Sequence, residues 1–342
     1  MHLMGLDQSF NNIGFIKFTN LQWKRRYYEP GQFSAQIRAD DYDPSMVYLI
    51  ALERPEVGLI QRIRTNDTVK GSFVQLEGFF AEKELNRPVI YPRLQINGTP
   101  AQIANTAVTT HPPDGLSMVV DDSPAGGEPT SVDWLGQQLG ESTYELLQTQ
   151  GYSQRVTLDY QNNQLHYSVW KGLDRTQKQN INPFAMFSDA SAAVDQFKLT
   201  EDGSGYKNFA VIGYGEEESP QFMEVDLRQD GEPKRQIFLD YIGSNESEEA
   251  MRQSAVERLQ QYQRVRNAEI KTIQYGLVYL RDYDLGDKCD VVNHRLKKSY
   301  ETRIIGVDEV VKGSQHTVSL ITGEKIPTNY GSLSRLARNM RR

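Results

Sequence analysis

Cysteine is nearly absent from this 342-residue sequence, where Cys289 stands alone. An internal disulfide is thereby excluded, and the chain is compatible with folding in a reducing cytosol. Positive charge is also in deficit, with 38 Lys and Arg against 45 Asp and Glu, giving a net charge of −7. That balance argues against the phosphate-neutralising surface of a tight or sequence-specific nucleic-acid binder. No run approaches the roughly 18 apolar residues that a membrane-spanning helix needs. The opening MHLMGLDQSFNN has no basic region followed by an apolar one, so no export signal is visible. His2, His111, His166, His294 and His316 lie far apart and HExxH is missing, so paired zinc ligands are not expected.

What the sequence does have is aromatic and alternating. Aromatic residues make up 10 % and include 18 tyrosines, the balance of a folded, strand-rich protein. Its length exceeds one ordinary core, so two or more domains of about 100 to 150 residues are expected. From Gly14 to Gly78 the segments GFIKF, LQWKRRYY, GQFSAQIRA, MVYLIALE, GLIQRIR and GSFVQLEG alternate between turn residues. This spacing predicts an antiparallel meander closing into a small barrel, which would remove its exposed edges.

After Gly78 the period changes, and Phe79, Phe80 and Leu85 can share one face of a short helix that Pro88 stops. Thr99 as cap and Pro100 at the first position predict a helix over 99–110. Residues 111–131 are rich in turn formers and read as a loop or hairpin insertion. Ser142 with Glu145 forms a capping box, and Gly151 closes the helix between them. QRVTLDY and QLHYSVW form a hairpin whose second strand ends at Lys171–Gly172. A long helix over 246–267, capped by Asn245, carries Met251, Ala255, Leu259, Tyr262 and Val265 as an apolar stripe. TIQYGLVYLRDYD, KCDVVN, YETRIIGVDEVV and HTVSLIT then read as strands of a second β region. The basic end SLSRLARNMRR reads as two helical turns, frayed or docked on a partner.

Several stretches invite a chemical reading. VIGYGEEES offers Gly213 and Gly215 but no third glycine, and Glu216 to Glu218 would repel a phosphate. A strand ending in an acidic turn is expected there, with no nucleotide or other cofactor. DYDLGDKCD resembles a calcium loop, yet Gly286 falls fifth and Asp287 sixth where an oxygen ligand and then a glycine are needed. No metal is expected, and Asp40, Asp41 and Asp43 read as a solvated turn. Cys289 near His294 is a weak hint of a nucleophile pair, against which stands a buried, inert thiol. In GLDRT, Asp174 is a general acid or base and Arg175 an anion clamp on an enzymatic reading. The alternative is a turn shaped by Gly172, with Asp174 bonding its amides and Arg175 paired locally.

Taken in order, GQFSAQI, GLIQRI, VQLEGFFAEKELNRPVI, the Ser142 helix, GLDRT, FSDA, KNFAVIGYGE, KRQIFLD, the long helix and LGDKCDVV resemble siphophage tail-tip proteins. That family is related to the baseplate hub of contractile-tailed phages and to the N-terminal part of tail-associated lysins. The resemblance implies a mainly β fold with α+β parts: two tube-type antiparallel β-barrel domains plus smaller α/β domains. It places a first barrel at 1–95, a connecting α/β domain at 96–153, an α+β domain at 154–270, second-barrel strands at 271–325 and a basic tail at 326–342. It also implies a non-enzymatic structural role, because lysin activity in the family resides in C-terminal extensions for which no room follows residue 325. The expected assembly is a homotrimer at the virion tail tip, built in the host cytoplasm. Its expected neighbours are a distal tail or tail tube protein ring above and tape measure, fibre or receptor-binding proteins nearby, with no membrane-spanning segment. Gly172, Asp174, Arg175, Gly213, Gly286 and Asp287 are then structural motif residues. Two alternatives stay open: a cell-wall hydrolase using Asp174, and a carbohydrate-binding receptor module suggested by the tyrosines.

Overall fold

A computed structural model describes residues 1–69, 71–244, 246–260 and 262–323. The alternating N-terminal segments become β1 (Leu3–Leu6), β2 (Asn12–Ile16), β3 (Phe18–Arg26), β4 (Gln32–Arg38), β5 (Tyr48–Ala51), β6 (Val57–Thr68) and β7 (Gly71–Phe80). Period-two alternation drives them, since Leu21, Trp23, Phe33, Ala35, Ile37, Val74 and Leu76 all point inward and are buried. Trp23 anchors this core with Phe80 at 4.7 Å and Phe33 at 5.8 Å between ring centroids. Each such buried aromatic contributes roughly 2–3 kcal/mol.

A 3-10 helix over Ala81–Asn86 follows, then β8 (Leu94–Gly98), α1 (Pro100–Thr110), β9 (Met118–Val120), β10 (Thr130–Trp134) and α2 (Leu139–Gln148). Leu85 lies in the 3-10 turn, but Phe79 and Phe80 still belong to β7, because pairing with β4 and β6 outweighs the helical spacing. Thr99 caps α1 in a full capping box with Gln102. In α2 the start shifts upstream: Gln138 is the capping position and Ser142 sits inside the first turn, bonded to the Gln138 carbonyl. Gly151 ends the segment at φ +73°, as its helix-terminating role requires.

β11 (Ser153–Asp159) and β12 (Gln164–Trp170) form the expected hairpin, with β9 added in parallel to β12. Next come β13 (Met186–Ser188), β14 (Val194–Asp202), β15 (Phe209–Glu216), β16 (Ser219–Asp226), β17 (Gln236–Ile242) and α3 (Glu248–Gln260). The long helix is shorter than its apolar stripe suggested. Met251, Ala255 and Leu259 are buried in it, whereas Val265 already belongs to β18 (Val265–Thr272), where sheet pairing captures the chain. The expected cap Asn245 lies outside the described residues. The run 273–284 is irregular, and β19 (Lys288–Asn293), β20 (Lys298–Lys312) and β21 (Gln315–Gly323) complete the described chain. The basic tail also lies outside it.

One thirteen-stranded sheet links both β regions, in the order β14-β18-β21-β20-β3-β4-β7-β6-β5-β1-β2, with β19 and β13 branching from β20. The expected closure into separate barrels is not observed among the described residues. Instead β3 pairs with β4 on one side and with β20 on the other, so the two β regions share a continuous ladder. By backbone contacts the chain forms two compact units. Residues 1–198 with 268–323 make the larger, and residues 199–267 belong to the smaller. In the smaller unit, Ala210, Ile212, Met223 and Val225 of the sheet β16-β15-β17 form a core with Met251, Ala255 and Leu259 of α3.

Candidate functional site

Two strand-end loops of the larger unit meet: Gly172–Thr176 after β12, and Leu285–Asp287 before β19. A parallel bridge joins them, with the Lys288 amide donating to the Leu173 carbonyl at 2.8 Å and the Arg175 amide donating to the Lys288 carbonyl at 3.0 Å. Asp287, 3 % exposed, is the knot. Its Oδ1 accepts from the Leu173 amide at 2.7 Å, while its Oδ2 accepts from Arg175 Nε at 2.7 Å and the Asp284 amide at 3.0 Å. A buried carboxylate holding one cation and two amides is costly to leave unpaired, so the two loops are fixed to each other.

Glycine is required on both sides. A Cβ on Gly172 would lie 2.0 Å from the Gly286 carbonyl carbon, and one on Gly286 would lie 2.4 Å from the Tyr27 ring, at a φ of +84°. Tyr27 seals the contact, its hydroxyl donating to the Gly151 carbonyl at 3.0 Å and accepting from the Gly172 amide at 3.3 Å. Burial pushes the Tyr27 hydroxyl well above its ordinary pKa. Arg303 stacks over the same ring at 5.3 Å and donates to the Gly286 carbonyl.

Asp174, the candidate acid or base, turns back on its own loop. Its Oδ1 accepts from the Thr176 amide at 3.0 Å and hydroxyl at 2.7 Å. Partial burial works against the charge, but these two bonds, with Lys288 and Arg303 nearby, hold the carboxyl below the usual range. A carboxylate tied down in this way is poorly placed to exchange a proton near neutrality. Of the six residues singled out, five converge here. Gly213 does not, lying in β15 of the smaller unit, where it begins the approach to the acidic turn.

A second cluster of the larger unit escaped sequence reasoning. Arg25 donates to Glu56 at 2.5 Å, Tyr279 at 2.5 Å and Asp284 at 2.6 Å, and Trp23 Nε1 donates to Glu56 at 3.2 Å. Arg54 forms a two-pronged pair with the fully buried Glu309, which also meets His316 Nε2 at 2.9 Å. The signal was available: Leu21, Trp23, Arg25 and Tyr27 alternate inward, so Arg25 had to be buried and therefore paired.

Ser188, Asp189 and His294 also come together, yet not as a catalytic triad. Ser188 Oγ at 3.1 Å and Asp189 Oδ1 at 2.9 Å both approach the same nitrogen, His294 Nδ1, whereas a relay needs one partner on each nitrogen. The His294 amide and ring pull the Asp189 carboxyl down to about 2. Cys289 is fully buried, and burial raises its thiol pKa, which fits an inert residue. Among the described residues no three His, Cys, Asp or Glu side chains are grouped to hold a metal, and no helix is long and apolar enough to cross a membrane. The arrangement is chemically suited to holding loops together.

Solved structures share this fold. A tail protein from Neisseria meningitidis MC58 aligns over 95 % of this chain and 96 % of its own, with TM-score 0.62 and 12 % identity. The 43 kDa tail protein of prophage MuSo2 from Shewanella oneidensis aligns over 94 % and 98 %, with TM-score 0.60 and 13 % identity. The E. coli c3393 protein, a type VI secretion component described as structurally similar to the T4 tail proteins gp27 and gp5, aligns over 91 % and 74 %, with TM-score 0.50 and 11 % identity. No curated protein sequence matches. The sequence profile of the Siphovirus ReqiPepy6 Gp37-like protein family matches residues 3–324, nearly the whole chain. The profile spans nearly all of the sequence, and this chain belongs to the Siphovirus ReqiPepy6 Gp37-like protein family.

Proposed function

We propose that the chain is a structural hub of the phage tail tip, three copies of which form a ring that adapts the six-fold tail tube to the distal tip. The observation that carries this reading is the continuous ladder through β3 and β20, which places two β regions of one chain in a single sheet. Three chains with two such regions each supply six similar positions, and a closed ring of identical subunits is a standard solution to that demand. Within this reading, residues 1–95 and 271–325 provide the two tube-like regions. Residues 96–153 and 154–270 are the intervening parts, and a tail tube ring and fibre or tape measure proteins are the neighbours.

The role is mechanical, with no reaction assigned. The clasp of Gly172, Arg175, Gly286 and Asp287 supports this, since it fixes the exit of β12 against the entry of β19. Absolute quantification of this chain against the tube protein in purified tails tests the assembly, with three copies per particle expected. Six copies, or one, contradict it. Zymography on bacterial walls addresses the hydrolase alternative: clearing that disappears in Asp174→Asn would overturn the structural reading.

A further inference from the structure

In the larger unit, the sheet face turned away from the Trp23 core carries a cleft of about 540 Å³. Gln22 and Lys24 of β3, Gln32 of β4, Glu77 of β7, and Gln61 and Arg62 of β6 line it. Alternation places the first four. With Trp23, Phe33 and Leu76 buried, their neighbours point the other way, and Lys24 stands opposite Gln32, which stands opposite Phe79. Gln61 arrives differently. The register of β6 on β7 shifts between the pairs Ile60–Gly78 and Arg62–Glu77, which makes Gln61 the extra residue of a bulge. Bulges re-aim side chains and recur next to active sites.

Among the described residues, the side chains of Gln22, Lys24, Gln32 and Gln61 make no hydrogen bond or ion pair. The groups around them are engaged. Ser34 accepts from Gln75 at 2.6 Å, Glu77 is shared by Arg62 and Arg64 at 3.5 Å each, and Asp308, opposite Lys24 on β20, is held by Arg26. Within the cleft Lys24 and Arg62 outnumber Glu77 by one cation. Small-molecule sites of roughly 300–1,000 Å³ are lined mainly by apolar groups, whereas this one presents three uncommitted carboxamides and an ammonium. An apolar occupant would leave those amides without partners.

We propose that this cleft binds an acidic saccharide, a short run of sugar residues carrying carboxylates, as a function additional to the structural one. Sugar hydroxyls both donate and accept, as the carboxamides of Gln22, Gln32 and Gln61 do. Lys24 takes a carboxylate, and Phe79, at the border of the cleft, offers its ring to the C–H face of one sugar. Glu77 sets a limit on the charge, since a densely anionic ligand would be repelled there.

Calorimetric titration of the full-length chain with tetragalacturonate and with a sialic-acid tetramer tests this. At least one of them should bind with a Kd of about 1 mM or below. Maltotetraose carries the hydroxyls without the carboxylates, and tetraglutamate the carboxylates without the hydroxyls; each should bind at least about tenfold more weakly, as loss of several hydrogen bonds to free groups requires. Gln22→Ala, Gln32→Ala and Gln61→Ala combined should weaken the saccharide at least about tenfold, and because these side chains hold nothing else in the protein, the melting temperature should stay in place. Lys24→Gln should erase the preference for the acidic sugar over maltotetraose. Absence of saturable binding by both acidic saccharides, equal binding by tetraglutamate, or an affinity unchanged in the triple variant would overturn the proposal.

Discussion

The two units hold their charges in opposite ways. In the larger unit the decisive ion pairs are buried and join residues distant in sequence: Arg25 to Glu56, Arg54 to Glu309 and Arg175 to Asp287. In the smaller unit they are more exposed, and one of them, Arg228 with Asp226, joins residues only two positions apart. A buried pair demands its partner, because a lone charge removed from water is costly, whereas an exposed pair gains little and is screened. The larger unit therefore depends on specific distant residues. The smaller depends on the apolar contact between α3 and its sheet.

Replacing Arg25 with alanine attacks the contrast where it is strongest. It leaves Glu56 buried with only the Trp23 N–H, and a loss of about 3–5 kcal/mol is expected, read by chemical denaturation followed through a probe in the larger unit. A change below about 1 kcal/mol would mean that the buried pairs stabilise no more than surface ones. Glu82 sharpens the comparison through pH. Burial raises its carboxyl to about 7 against the backbone N–H groups of Glu82 and Val156, and Oε2 finds no partner among the described residues. The folded state then binds the proton more tightly than the unfolded state, where the ordinary value is 4.5. Stability is highest below pH 4.5 on this account and falls as pH rises to 7, by at most about 3 kcal/mol. Glu82→Gln should flatten that slope and stabilise the protein above pH 7. A parallel pH profile in the two proteins would refute the assignment. The smallest effect is expected from Arg228→Ala in the smaller unit, where the melting temperature should not move measurably. A clear drop would show that this exposed pair matters as the buried ones do.

The same contrast explains what could be read in the sequence. Alternation exposed the strands from Gly14 to Gly78, and local chemistry exposed the Thr99 cap, the Gly151 stop and the β11–β12 hairpin. Each of these is decided within a few residues. The limits of α3 were not, because the stripe from Met251 continues in register through Tyr262 and Val265, and only pairing in the large sheet ends it. Nor was barrel closure, since whether β3 meets β20 depends on residues about 280 positions apart. In the clasp, glycine at 172 marked a turn from its type alone. That Gly172 faces Gly286, with Tyr27 beneath, is a fact of three distant segments and has no local signature.

The β3–β20 ladder also has a consequence for biosynthesis. Lys24 pairs with Asp308 and Arg26 with Gly306, so one edge of β3 stays open until the ribosome has made β20, about 280 residues later. At about 5–20 residues per second, that edge waits roughly 15–60 s after it emerges. For that interval the nascent chain presents an unpaired strand among other copies being translated nearby, and this is where chaperone attendance, or premature association between copies, should concentrate.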